Sequence, residues 1–272
     1  MFVTVDESDY WCEVSGHGEP IMLLHGFTGS TSTWMSLAST LEKSFQVIRI
    51  DLPGHGRTKV STPKTMTDCT RDIREILKQL GHEKIHLLGY SMGGRTALSF
   101  ALSYPDCVQS LILESSSPGL EKAEERKARI KKDQQIADRI NSNGIEAFVD
   151  FWQNIPLFDS QKQLPQTTQK SIREERLSQT KEGLITSLTY MGNGAQPSWW
   201  GKLHLLKLPV LLIVGEWDSK FIKINKSMKN LLPNSKLMIA EKAGHAIHVE
   251  QTDFFGKIVN EFILHKQTRN AL

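Results

Sequence analysis

Residues 85–95 read Ile85-His86-Leu87-Leu88-Gly89-Tyr90-Ser91-Met92-Gly93-Gly94-Arg95. A short apolar run ends in Gly-x-Ser-x-Gly, and residues 96–102 continue with helical spacing. A strand that turns sharply into a helix holds its serine at strained dihedrals, with the hydroxyl standing above the sheet edge. Gly89 and Gly93 suit that turn because a side chain at either would meet neighbouring backbone. The helix starting after Ser91 aims its free N–H groups and positive dipole end at the serine.

The flanking sequence repeats the same alternation. The apolar run at 21–24 reads as a buried strand, those at 47–50, 108–113, 210–214 and 237–239 as further strands, and 2–5 and 10–14 as a short antiparallel pair. Trp34, Leu37 and Leu41 mark one helix, and Ile73, Ile76, Leu77 and Leu80 follow the i, i+3, i+4, i+7 rule of another, closed by Gly81. Phe254, Ile258 and Phe262 mark a last one. Strands alternating with helices predict an eight-stranded, mostly parallel sheet covered on both faces. The rhythm stops at Ser115-Ser116-Ser117-Pro118-Gly119. From there to about residue 205 the pattern is helical and highly charged, with Arg126, Arg129, Arg139, Arg173 and Arg176 among several aromatics. We therefore expect residues 1–119 and 206–272 to form an α/β core and 120–205 a helical cap.

Composition narrows the classes. The chain has 272 residues, 39% of them hydrophobic, and a formal net charge of +3, enough for a sizeable core but no strong field for nucleic acid. Its three cysteines (Cys12, Cys69, Cys107) are odd in number and widely spaced, which reads as reduced thiols in the cytoplasm and not as a metal site. Met1-Phe2-Val3-Thr4-Val5-Asp6-Glu7 lacks a basic segment followed by an apolar one, so no signal peptide is expected. No apolar run nears the ~20 residues of a membrane span. The pattern specifies no oligomeric state, monomer or homo-oligomer.

A serine hydroxyl becomes a useful nucleophile or base when a histidine takes its proton and an acid orients that histidine. In this type of fold the expected chain order is Ser, then Asp or Glu, then His. Asp218 follows the 210–214 run, and His245 follows the 237–239 run in Ala243-Gly244-His245. Both then fall at carboxyl ends of strands on the edge that carries Ser91, where open α/β sheets bind ligands. Asp218 could instead cap the next helix and Glu114 supply the acid. His248 is the alternative base, and His55 reads as a local turn residue. An oxyanion would be held by the N–H groups of Met92 and Phe27.

Four blocks now resemble a known superfamily: His25-Gly26-Phe27, Asp51-Leu52-Pro53-Gly54-His55-Gly56, the 89–93 turn and Ala243-Gly244-His245. They are similar to the α/β-hydrolase fold over essentially the whole chain. Gly89-Tyr90-Ser91-Met92-Gly93-Gly94-Arg95, Glu114-Ser115-Ser116-Ser117-Pro118-Gly119-Leu120, Gly215-Glu216-Trp217-Asp218-Ser219-Lys220-Phe221 and 243–248 more closely resemble the 2-succinyl-6-hydroxy-2,4-cyclohexadiene-1-carboxylate synthase family of menaquinone biosynthesis. The resemblance implies a cofactor-free carbon–oxygen lyase that eliminates pyruvate from a small tricarboxylate substrate. It also implies that Arg95, Arg129 and Arg176 bind carboxylates, since planar guanidinium suits bidentate capture. Tyr90 and Trp152 would wall the pocket, with Phe151 the alternative to Trp152. The competing reading is a serine esterase or carbon–carbon hydrolase of the same superfamily.

Overall fold

The structure, a computed structural model, describes residues 1–270. Its sheet comprises β1 (Phe2–Val5), β2 (Ser8–Ser15), β3 (Glu19–Leu24), β4 (Phe45–Ile50), β5 (Ile85–Tyr90), β6 (Val108–Glu114), β7 (Val210–Gly215) and β8 (Ser235–Ala240). The spatial order is β1-β2-β4-β3-β5-β6-β7-β8. The β1/β2 and β2/β4 pairs are antiparallel, and every later pair is parallel. The strands β5 and β7 are buried along their whole length, as strands covered on both faces must be.

Alternation along each strand feeds two cores. Met22 and Leu24 of β3 pack with Ile73, Ile76 and Leu98, while Ile21 and Leu23 meet Trp34, Leu37 and Phe255 on the opposite face. The flanking helices are α1 (Met35–Leu41), α2 (Met66–Gln79) and α3 (Met92–Ser103). A capping box between Thr65 and Asp68 starts α2, satisfying two backbone donors reciprocally.

Between β6 and β7 lie α4 (Ala123–Trp152), α5 (Gln166–Leu177) and α6 (Lys181–Met191), with 3-10 turns at Pro156–Gln163 and Trp200–Leu205. No strand occurs in that interval. The helix α4 kinks at Gly144 (φ 79°, ψ 177°). Ala137, Ile140, Phe148, Leu184 and Leu188 form a small apolar cluster between these helices, and Phe27 of the core packs against it. The chain finishes with α7 (Ser219–Leu231), α8 (Ile247–Glu250) and α9 (Thr252–Asn270).

On α9 the residues that mark the helix in the sequence are not its most buried stripe. Phe255, Val259 and Ile263 are fully buried, and Phe254, Ile258 and Phe262 only partly so. The two stripes are parallel and both apolar, so spacing alone does not choose between them. Among the described residues no helix is long and apolar enough to cross a membrane.

Candidate active site

Ser91 sits between β5 and α3 with φ 51° and ψ −105°, a conformation that costs a non-glycine residue energy and recurs at functional turns. A Cβ on Gly89 would overlap the backbone of Gly93, and one on Gly93 the carbonyl of Leu24. The turn is therefore possible only with both glycines, and it presents the serine at the carboxyl edge of the sheet.

His245 reaches that serine from the loop after β8. The Ser91 hydroxyl lies 3.0 Å from His245 Nε2, and His245 Nδ1 lies 2.6 Å from Asp218 Oδ2. A carboxylate accepts only, so Nδ1 carries the proton and Nε2 is free to accept from Ser91. Asp218 also caps α7, accepting the Phe221 N–H through Oδ1 at 3.2 Å. Capping and orienting the imidazole are thus compatible roles, each using a different oxygen. Glu114 is occupied elsewhere: His248 donates from Nδ1 to its carboxylate at 2.8 Å, and the His248 backbone N–H donates at 3.0 Å. Both side chains of that second pair are buried.

Ser91 and His245 open onto a cavity bordered by Phe27, Met92, Arg95, Arg129 and Trp152. Phe27 and Met92 thus flank the serine from the loop after β3 and the first turn of α3. Arg95 donates to the carbonyl of Met191 at 3.0 Å and to Oε1 of Gln196. Burial, with Arg129 close by, lowers its guanidinium to about 9. Arg129 is half-exposed and binds Asp133 through Nε at 2.7 Å. Trp152 borders the cavity, whereas Phe151 is exposed and lies under the guanidinium of Arg139, 4.0 Å from its ring centroid.

Two expected residues stand behind this cavity. The ring of Tyr90 lies 5.4 Å from that of His245 and 4.6 Å from that of His248. Arg176 is buried, donates to Gln161 at 3.0 Å, and lies 4.6 Å over the ring of Phe158. It borders a second cavity within the cap, beside Lys162, Lys170 and Arg173.

Four further residues contribute beyond what the sequence assigned them. His25 donates from Nδ1 to the Gly26 carbonyl at 2.8 Å and accepts the Leu52 N–H at Nε2 at 2.9 Å. His55 likewise donates to Pro53 and accepts the Thr28 N–H at 3.3 Å, beyond the local turn expected of it. Together they tie the loop that carries Phe27 to the turn after β4. Glu175 of α5 reaches the same loop from the cap: its Oε1 accepts from the Ser30 N–H at 3.0 Å, the Ser30 hydroxyl at 2.8 Å and the Thr33 hydroxyl at 2.7 Å. Burial outweighs those bonds and raises its carboxyl. Beside Glu174 on a charged helix, Glu175 carried no sequence signal. Lys220 also borders the Ser91 cavity, and burial followed by the nearby Arg129 lowers its ammonium. Its only signal was membership of the 215–221 block.

Comparison with known proteins agrees with this architecture. Residues 19–252 match the alpha/beta hydrolase fold family. A Bacillus subtilis (strain 168) protein named provisionally as 2-succinyl-6-hydroxy-2,4-cyclohexadiene-1-carboxylate synthase is 48% identical over 248 residues, covering 90% of each chain. A Photorhabdus laumondii protein named as the same synthase is 30% identical over 245 residues, 89% of this chain and 84% of that one. The solved structure of MenH from S. aureus superposes with a TM-score of 0.91 at 36% identity, covering 95% of this chain and 98% of the other. The chain belongs to the 2-succinyl-6-hydroxy-2,4-cyclohexadiene-1-carboxylate synthase family of the α/β-hydrolase fold.

Proposed function

We propose that this chain is a carbon–oxygen lyase of menaquinone biosynthesis. It eliminates pyruvate from 2-succinyl-5-enolpyruvyl-6-hydroxy-3-cyclohexene-1-carboxylate, leaving 2-succinyl-6-hydroxy-2,4-cyclohexadiene-1-carboxylate. Family membership supports the reaction. The observation that carries the site assignment is one cavity bordered both by Ser91 and His245, whose hydrogen-bond chain runs on to Asp218, and by the guanidinium of Arg95.

In this reading Ser91 Oγ, its own proton passed to His245 Nε2, removes the ring proton next to the succinyl ketone. The C–H electrons move onto the ketone oxygen as an enolate, which the N–H groups of Phe27 and Met92 stabilise. The enolate collapses through the ring double bond, the C–O bond breaks, and the enolpyruvyl group departs and takes up a proton to become pyruvate. Asp218 stabilises the imidazolium formed in between. Arg95, Arg129 and Arg176 are the proposed carboxylate partners. Arg95 and Arg129 act from the cavity wall, and Arg176 from behind Phe158. Such planar, bidentate donors select an anionic substrate over a neutral ester. Pyruvate release from the enolpyruvyl substrate, followed by lactate dehydrogenase coupling, is the direct test. Failure of the pure protein to release pyruvate overturns the proposal.

A further inference from the structure

Glu250 ends α8, five residues beyond His245, and its carboxylate folds back over the start of that single turn. Its Oε2 accepts the Gly244 N–H at 2.5 Å, and its Oε1 accepts the Ala246 N–H at 3.3 Å. These N–H groups belong to the residues on either side of His245. Oε1 also accepts the Ser160 hydroxyl at 2.9 Å, from the 3-10 turn Pro156–Gln163 of the cap. A side chain on Gly244 would overlap that hydroxyl, so the cap turn rests directly on the peptide preceding His245.

The loop's other ties lie further from the imidazole: the Ala243 carbonyl accepts the Trp217 N–H, Glu216 accepts the Lys242 N–H, and Glu114 accepts the His248 N–H. A four-residue helix is too short to hold its own geometry, and its N-cap, Ala246, offers no side-chain acceptor. The imidazole itself is hydrogen-bonded only to Asp218 and Ser91 among the described residues. Where Nε2 meets the serine depends on the rings of Tyr90 and Phe221 beside the imidazole and on the backbone on both sides of His245, and one carboxylate grips both sides. We infer that Glu250 is a positioning residue for His245, holding the loop so that the imidazole meets Ser91 and seating the cap on that loop through Ser160. The inference rests on His245 being the base of the triad.

Replacing Glu250 by Gln keeps the shape but turns an NH2 group towards one of the two N–H donors. Glu250→Gln should lower kcat for pyruvate release by roughly 10- to 100-fold, the scale of an ångström-level misplacement, with KM nearly unchanged. The downfield proton resonance of His245 Nδ1–H, identified by its loss in His245→Ala, should shift or broaden in Glu250→Gln. Glu250→Asp keeps the charge but cannot span both donors, and should show the same kcat loss. Wild-type kcat and an unmoved resonance in both variants overturn the inference. So does failure of both to fold, which would make Glu250 a scaffold residue. Loss of activity in His245→Ala with full activity in Glu250→Gln overturns this inference alone. Full activity in His245→Ala overturns the triad reading and this inference with it.

Discussion

Asp218 and Glu114 stand at the carboxyl ends of neighbouring strands, and each holds a histidine, yet only one of those histidines faces the serine. Asp218 supports His245 at 2.6 Å, and Glu114 supports His248 at 2.8 Å in a buried pair. Ser91→Ala and His245→Ala should each lower kcat roughly 10³-fold or more, and Asp218→Asn should lose most activity by favouring the wrong imidazole tautomer. Glu114→Gln should instead keep kcat near wild type while costing about 1–3 kcal/mol of stability, because it leaves a buried donor poorly matched. A dead Glu114→Gln beside an active Asp218→Asn would reverse the assignment of the acid. His25 and His55 make a separate, pH-dependent prediction. Burial lowers His25 from 6.5 to about 4, and burial followed by the nearby His25 lowers His55 to about 3. Each accepts a backbone N–H at Nε2 and is therefore folded in its neutral form. Below pH 6.5 the unfolded chain takes up protons that the folded chain does not, so stability present above 6.5 is lost as pH falls towards 4 and below. Denaturant midpoints at pH 7 and pH 5 should show that slope, and His25→Asn or His55→Asn should flatten it. An unchanged slope in both variants would locate the acid sensitivity elsewhere.

At the scale of elements, α4 brings Arg129 to the cavity and holds it there through Asp133, one turn on. Asp133 is buried, its second oxygen has no hydrogen-bond partner among the described residues, and burial raises its carboxyl despite Arg129. Arg129→Ala alone therefore confounds two effects, lost substrate binding and an uncompensated buried acid. The double change Arg129→Ala/Asp133→Asn separates them. It should recover most of the lost melting temperature while kcat/KM stays about 10-fold or more below wild type, the worth of a charge-assisted hydrogen bond. Recovery of both would make Arg129 a structural partner of Asp133 and nothing more. This pair also marks how far a helix is legible from sequence. Helical spacing offers Arg129 an ion pair with Glu125 or Asp133, each four residues away, but does not tell which of them forms it or that the pair is half enclosed at a cavity. On α9 two parallel apolar stripes left the buried face open by one residue. On α5 the carboxylate of Glu175 looked like its solvated neighbour Glu174, because its partners Ser30 and Thr33 lie more than 140 residues away in the chain. Periodicity reports a helix and its wetter face; it does not report which polar residue another element comes to meet.

For the molecule as a whole, strand–helix alternation was enough to predict a mostly parallel sheet of eight strands but not their spatial order, which depends on pairings distant in sequence. The positions of Ser91, Asp218 and His245 followed because strand ends are where such a sheet exposes side chains. What alternation could not supply is how the helices between β6 and β7 lie on that edge, since contacts between them and the sheet are distant in sequence. Those helices bear on what the serine does. They close over the cavity and bring Arg129 to the wall that Arg95 of α3 also borders, two guanidinium groups that a pocket for neutral esters does not require and that rest on Asp133, Met191 and Gln196 until an anion arrives. In a hydrolase Ser91 attacks a carbonyl and an acyl-enzyme forms before water releases it. In the elimination proposed here Ser91 only relays a proton, so no bond to carbon is made. Mass spectrometry of the protein during turnover should therefore show unmodified Ser91 while pyruvate accumulates, and short p-nitrophenyl esters should turn over only in traces. An acyl adduct on Ser91, or ester hydrolysis as fast as pyruvate release, would mean that the cavity works as an esterase, its arginines recruiting an acidic acyl group to a nucleophile and not an acidic ring to a base.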